Sequence, residues 1–235
     1  MPGIETIRYQ SSPSDEIELS LELAERAMHH MLRGGELSGA KDGAGKQILG
    51  EMQCTDRSWA APMLRTGVWL KFTAARGIAS KGAQAQAMGM NWLHSRLQDH
   101  PQLSAVRHFG VVTEPDNTYA INVVEAAKGR QACSYEQRHQ ARDIAFHAAC
   151  KLSDEIGFWN MRAVCDPNAS NVFVTGLGCY TFIDQIRDPF DPRTVRRLVR
   201  MGAIAADDLP NLRVSIAERF RLWLQDNESA TLCKP

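Results

Sequence analysis

The chain has 235 residues and balances 27 basic against 27 acidic side chains, so charge alone points to neither a nucleic acid nor an anionic membrane as partner. Hydrophobic residues at 44% and charged residues at 23% are ordinary for a soluble globular chain, long enough for one large domain or two lobes. No apolar run reaches the roughly 18 residues of a membrane span, and the start, MPGIETIRYQSSPSDE, has no apolar signal core.

The six cysteines (54, 133, 150, 165, 179 and 233) are scattered and form no Cys-x-x-Cys pair. That pattern reads as reduced thiols in a cytosolic setting and argues against cysteine metal ligation. Export by a route that needs no apolar signal would leave the same sequence.

Residues 1–13 are polar and carry Pro and Ser, which reads as a loose lead-in. Ser14 before Asp15 and Glu16 is a helix N-cap pattern, and Leu19, Leu23, Ala27 and Met31 recur at helical spacing. A helix over 15–32 follows, stopped by Gly34–Gly35. SGAKDGAGKQILGEM (38–52) reads as strand, glycine turn and strand, with Gly39, Gly43 and Gly45 in the turn region. GVWLKFT (67–73) is β-rich with Lys71 embedded in it. Residues 80–99 read as a helix with Met88, Trp92 and Leu93 on one face, and Pro101 lies just beyond its end. FGVVT (109–113) and TYAINVVEA (118–126) are strands flanking the turn EPDN. Residues 134–160 form a long amphipathic pattern with Ile144, Ala148, Leu152 and Ile156 at four-residue spacing. VFV (172–174) and YTFI (180–183) predict a hairpin around Gly176 and Gly178. Helices are expected from about Asp191–Pro192 and over 210–226.

Strands early and helices late indicate an α+β chain in two lobes, with the boundary between 126 and 134. The division expected is a 1–35 extension with its helix, a β-rich lobe over 36–129 and a helical lobe over 130–235.

The stretch 162–184, RAVCDPNASNVFVTGLGCYTFID, carries the most specific pattern. Asp166 and Asn171 stand five apart in a turn-rich segment, a hairpin follows, and Asp184 closes it. This resembles the catalytic loop and metal-binding strand of the protein-kinase-like superfamily, in which Asp-x-x-x-x-Asn precedes the Asp of Asp-Phe-Gly. Order and spacing agree over about residues 36–190.

The resemblance implies a two-lobed protein-kinase-like fold with a β-rich N-lobe and a shortened helical C-lobe. It implies ATP and Mg²⁺ as cofactors and phosphoryl transfer to a hydroxyl. On it, Asp166 positions the attacking hydroxyl, Asn171 and Asp184 hold Mg²⁺, and Lys71 contacts the α- and β-phosphates. Gly39, Gly43 and Gly45 would cover phosphates, and Glu125 would begin the hinge beside the adenine. Only 51 residues follow Asp184, which resembles the minimal kinases some bacteria use as secreted effectors. That likeness implies a Ser/Thr protein substrate, a host protein being a candidate, an activating protein partner as one option, and a cytoplasmic enzyme or one secreted into a host cell.

The departures are specific. Val164 and Cys165 replace the loop's His and Arg, Pro167 follows Asp166, and Gln185–Ile186 replace Phe-Gly. The glycine stretch is irregular. The helix over 80–99 has no Glu, leaving Gln84 and Gln86 nearest, with Glu51 or Asp56 as other partners for Lys71. Two alternatives stay open: an inactive kinase fold serving as a binding module, and a small-molecule kinase of the aminoglycoside or sugar type. Ala40 to Lys46 also nearly matches a Walker A loop, but Gln47 stands where Ser or Thr should hold Mg²⁺. His29, His30, His139 and His147 read as satisfied or solvated, and Arg193, Arg196, Arg197 and Arg200 as a solvated helix face.

Overall fold

The computed structural model describes residues 3–10, 13–55, 58–132, 134, 136–137, 140–141, 171–176 and 178–184. Asp166, most of the helix expected over 134–160, and the helices expected near 191 and over 210–226 lie outside the described residues.

In chain order the elements are β1 (Glu5–Arg8), α1 (Asp15–Leu32), a short 3-10 turn (Leu37–Gly39), β2 (Gln53–Thr55), β3 (Ser58–Pro62) and β4 (Val68–Ala74). Then come α2 (Ala79–Leu97), β5 (Leu103–Ala105), β6 (His108–Thr113), β7 (Tyr119–Glu125), β8 (Arg130–Gln131), β9 (Val172–Gly176) and β10 (Cys179–Phe182). The α+β class read from the sequence is what the chain adopts. It divides into two compact units, residues 1–91 with 106–126 and residues 92–105 with 127–235.

The first unit is built on a six-stranded antiparallel sheet in the order β1-β6-β7-β4-β3-β2. β4 alternates, with Val68, Leu70 and Phe72 buried and Trp69, Lys71 and Thr73 half-buried, as period-2 geometry requires. Val68, Leu70 and Phe72 join Ile121 and Val123 of β7 and Leu21, Leu23, Ala24, Ala27 and Met28 of α1 in one apolar cluster. Full burial of a Leu or Met side chain contributes about 1.5–3 kcal/mol, so this face dominates the stability of the unit. Ring packing of Phe72 between Trp59 (5.2 Å) and Tyr119 (5.6 Å) extends it.

α1 begins where Ser14 was read as its cap, but through the Ser14 carbonyl, which accepts from Ile17 and Glu18 (2.9 and 3.0 Å), and with no bond from the Ser14 hydroxyl. The helix is tied to the sheet by Thr6 Oγ1 donating to Glu25 (2.5 Å) and by an Arg8–Glu18 ion pair (3.2 Å).

α2 begins on the sheet's other face. Ala79, Ala83 and Ala87 cluster with Val111 and Ala120. Leu93 is buried as expected, Met88 is half-buried, and the Trp92 side chain lies outside the described residues. The small alanines set the contact because they let helix and sheet backbones approach closely.

The loose lead-in is corrected, since residues 5–8 form an edge strand with Glu5 opposite Thr113 and Arg8 opposite Gly110.

The second unit holds a four-stranded sheet in the order β5-β10-β9-β8. The predicted hairpin is present as β9 and β10, with Val172 opposite Phe182. β5 joins β10 in parallel, Leu103 opposite Tyr180, and β8 adds antiparallel to β9, Arg130 opposite Val174. His100 Nδ1 accepts from the N–H groups of Gln102 and Leu103 (3.2 and 3.0 Å) and turns the chain into β5. Gly129 has φ +93°, and a Cβ there would stand 2.0 Å from the Val174 carbonyl oxygen. Only glycine fits that approach. Among the described residues, no helix is long and apolar enough to cross a membrane.

Candidate functional site

In the first unit, Lys71 lies in the middle of β4, directly opposite Asn122 of β7 and Ala60 of β3. Direct cross-strand partners share a face, so Lys71 and Asn122 stand on the α2 side, away from the Leu70–Phe72 cluster. Asn122 is 1% exposed. Its Nδ2 donates toward Ala83 O (3.2 Å) and Gln86 Oε1 (3.4 Å) on α2, and lies 3.1 Å from Nδ1 of His108. Gln86 and His108 are themselves buried. Asn91 of α2 clamps the His108 backbone, donating to its carbonyl and accepting from its N–H, both at 2.8 Å.

Of the two glutamines nearest the place of a helix acid, Gln86 therefore enters this cluster. Gln84 instead donates to Ser80 Oγ one turn earlier (2.8 Å). Sequence reasoning missed Asn122 and His108. The available signal was a lone amide inside the otherwise apolar run Ala-Ile-Asn-Val-Val.

Glu125 ends β7, opposite Val68. Its carboxylate takes Arg107 through Nη2 (3.0 Å), Nε (3.3 Å) and backbone N–H (3.1 Å). Its own N–H donates to the Arg107 carbonyl (2.8 Å). The Glu125 bond raises Arg107 above the ordinary guanidinium value, and that guanidinium also lies 5.4 Å over the Phe109 ring. The side chain of Glu125 thus fixes the end of the strand through Arg107.

The glycine segment forms a turn rather than an open cradle. Lys41 bridges to Gln47, and Gly45 takes φ +77° between them. Asp42 Oδ1 accepts from the N–H groups of Ala44 and Lys46 (both 2.9 Å), and Oδ2 accepts from Arg65 (2.7 Å). These bonds, that of Lys46 first, hold Asp42 below the ordinary carboxylate range. Two N–H groups that could have met a phosphate are thereby occupied by the chain's own carboxylate. Gly39 sits apart, at the end of the 3-10 turn.

In the second unit, the β9–β10 hairpin brings Asn171 and Asp184 to one end. Ile183 N–H donates to the Asn171 carbonyl (3.0 Å), immediately beyond the Val172–Phe182 pair, and Asp184 is the next residue. Both are half-buried. The hairpin is anchored by buried Val172, Tyr180 and Phe182. Tyr180 donates its hydroxyl to Gln140 (2.7 Å), and burial pushes that hydroxyl above its ordinary value.

An amide oxygen and a carboxylate are hard oxygen donors of the kind Mg²⁺ takes, usually one or two from protein with the rest from phosphates and water. The donor set therefore fits the metal. Among the described residues, no group of three or more His, Cys, Asp or Glu side chains is gathered for a metal.

No family model matches the chain, and no curated protein matches it. Among solved structures, it is similar to the aminoglycoside phosphotransferase APH(3'')-Id of Streptomyces rimosus, at 15% identity and a TM-score of 0.36, covering 88% of this chain and 95% of that one.

Proposed function

We propose that the chain is an ATP- and Mg²⁺-dependent phosphotransferase of the protein-kinase-like type, acting on a hydroxyl, with a protein Ser or Thr as the first acceptor to test. The observation that carries the reading is the hairpin closure that brings Asn171 and Asp184 to the same end of β9 and β10. The placement of Lys71 in a strand of the first unit's sheet supports it.

On this reading Asn171 and Asp184 hold Mg²⁺, which supplies charge neutralisation at the transferring phosphoryl group. Lys71 contacts the α- and β-phosphates. Asp166 orients the attacking hydroxyl and accepts its proton. Catalysis of this kind is mostly positioning and electrostatic stabilisation. Gly43 and Gly45 serve as turn formers, because the Asp42 carboxylate already fills two N–H groups of their turn, and Gly39 closes the separate 3-10 turn. Glu125 holds the strand end from which backbone would meet the adenine.

The absence of any acid on α2 favours a second reading, a kinase fold that binds nucleotide without transferring phosphate.

The test is incubation of the purified chain with γ-labelled ATP and Mg²⁺, alone, with a eukaryotic lysate, and with a panel of small alcohols that includes aminoglycosides. Label on a protein band that vanishes in Asp184→Ala and falls about 10²–10⁴-fold in Asp166→Ala bears out the protein-kinase reading. Label on a small alcohol alone moves the acceptor class. Nucleotide binding with no transfer anywhere selects the binding module, and no nucleotide binding overturns both readings.

A further inference from the structure

Strand β7 reads Tyr-Ala-Ile-Asn-Val-Val-Glu, and Asn122 is the uncharged polar residue in its buried middle. A buried amide in such a strand is costly unless it does something an apolar side chain cannot. Its donor side is used on α2, toward Ala83 O and Gln86 Oε1, and beside His108 Nδ1. Its Oδ1 has no hydrogen-bond partner among the described residues. Valine or leucine would pack the site without that cost.

What an apolar residue would lose is direction. Apolar contact with the alanine stripe of α2 lets the helix slide, whereas an amide bonded to Ala83 and Gln86 fixes it along its axis and around it. Asn91 adds a second fixed point through both backbone groups of His108. The residue directly across the ladder from Asn122 is Lys71, the one ionisable side chain of β4. α2 contains neither Asp nor Glu, so it offers Lys71 no carboxylate, and its placement on that face of the sheet is what Asn122 controls.

We propose that Asn122 is a positioning residue for Lys71. It locks α2 in a single stance on the Lys71 face of the sheet, and that stance sets where the lysine ammonium meets a nucleotide's phosphates. The inference rests on the phosphotransferase reading.

The test compares the affinities of the full chain for MgATP and for adenosine by titration calorimetry, in the wild type, Asn122→Leu and Lys71→Met. The proposal expects Asn122→Leu to stay folded, to lose about tenfold in MgATP affinity, the scale of a misplaced bond to a charged group, and to bind adenosine as the wild type does. Lys71→Met should show the same split. Unchanged MgATP affinity in Asn122→Leu overturns the proposal, as does an equal loss for both ligands, which marks general damage. If Asn122→Leu does not fold, Asn122→Val carries the same comparison, since it also removes both bonds to α2 and continues the apolar run of β7. A wild type that binds no MgATP overturns the phosphotransferase reading and this inference with it. That case is recognised because all three proteins then behave alike.

Discussion

Gly129→Ala tests the local physics of the second unit at one atom. Gly129 has φ +93°, and an added methyl would lie 2.0 Å from the Val174 oxygen, 2.7 Å from the Val174 carbonyl carbon and 2.9 Å from Thr175 Cα. All three are backbone atoms, so no side chain can rotate away. The cheapest relief is for β8 to leave β9. That sacrifices the two-residue ladder of Arg130–Val174 and Gln131–Phe173 and the bond from Ala132 N–H to Val172 O at 2.8 Å. At about 1 kcal/mol for each lost bond the cost is about 2–4 kcal/mol, and detachment caps it because the strained φ relaxes too. The readout is amide exchange at Ala132 and along β9, which should accelerate by about 30- to 700-fold. Exchange within threefold of wild type would mean that the close approach of Gly129 to Val174 is absent in solution, and the reasoning would fail.

Other substitutions probe other links. Met28→Ala empties a fully buried site between α1 and the sheet, and denaturant unfolding should show a loss of about 2–5 kcal/mol. Glu114 is buried and accepts from the N–H groups of Asp116, Thr118 and Tyr119, which closes the β6–β7 turn. Glu114→Ala should cost about 2–4 kcal/mol in the same assay, because charged acceptors make stronger bonds and the N–H groups are left behind. Asp42→Ala should be destabilising at neutral pH by thermal melting. Since the folded protein lowers the Asp42 pKa, its contribution is present above the ordinary carboxylate value of about 4 and is lost as pH falls through the folded value. The melting gap between Asp42→Ala and wild type should therefore close on acidification. A gap independent of pH would show that the charge of Asp42 does not matter.

How legible each element was depended on how much of it was decided locally. α1 was predicted over 15–32 and spans Asp15–Leu32, because its cap position, first-turn acids and apolar period lie within its own sequence. β4 and α2 came within two residues at each end for the same reason. β1, β2, β5 and β8 were invisible: they are two to four residues long, too short for a period, and are strands only because a neighbour pairs with them. β3, Ser-Trp-Ala-Ala-Pro, has weak strand formers and is held by β4. At the candidate site, the hairpin that ends in Asn171 and Asp184 was readable because its register follows from its own turn and alternation. Asn122 was not, because its meaning comes from α2 and β6, which approach it from elsewhere in the chain. The occupied N–H groups of the glycine turn were equally hidden, since the carboxylate that fills them belongs to an unremarkable Asp.

The position of α1 and β1 has a consequence for synthesis. The edge strand at residues 5–8 pairs with residues 110–113, and the apolar face of α1 is completed only by Ile121 and Val123. At about 5–20 residues per second, the helix emerges from a ribosome several seconds before its partners. During that interval Leu21, Leu23 and Met28 lack the part of their cluster that β6 and β7 supply. A fragment that begins after residue 35 has the converse defect, with Leu70, Phe72, Ile121 and Val123 stripped of their helix. Such fragments should aggregate, and tags or fusions at the start of the chain should leave residues 5–8 room to reach the sheet's edge.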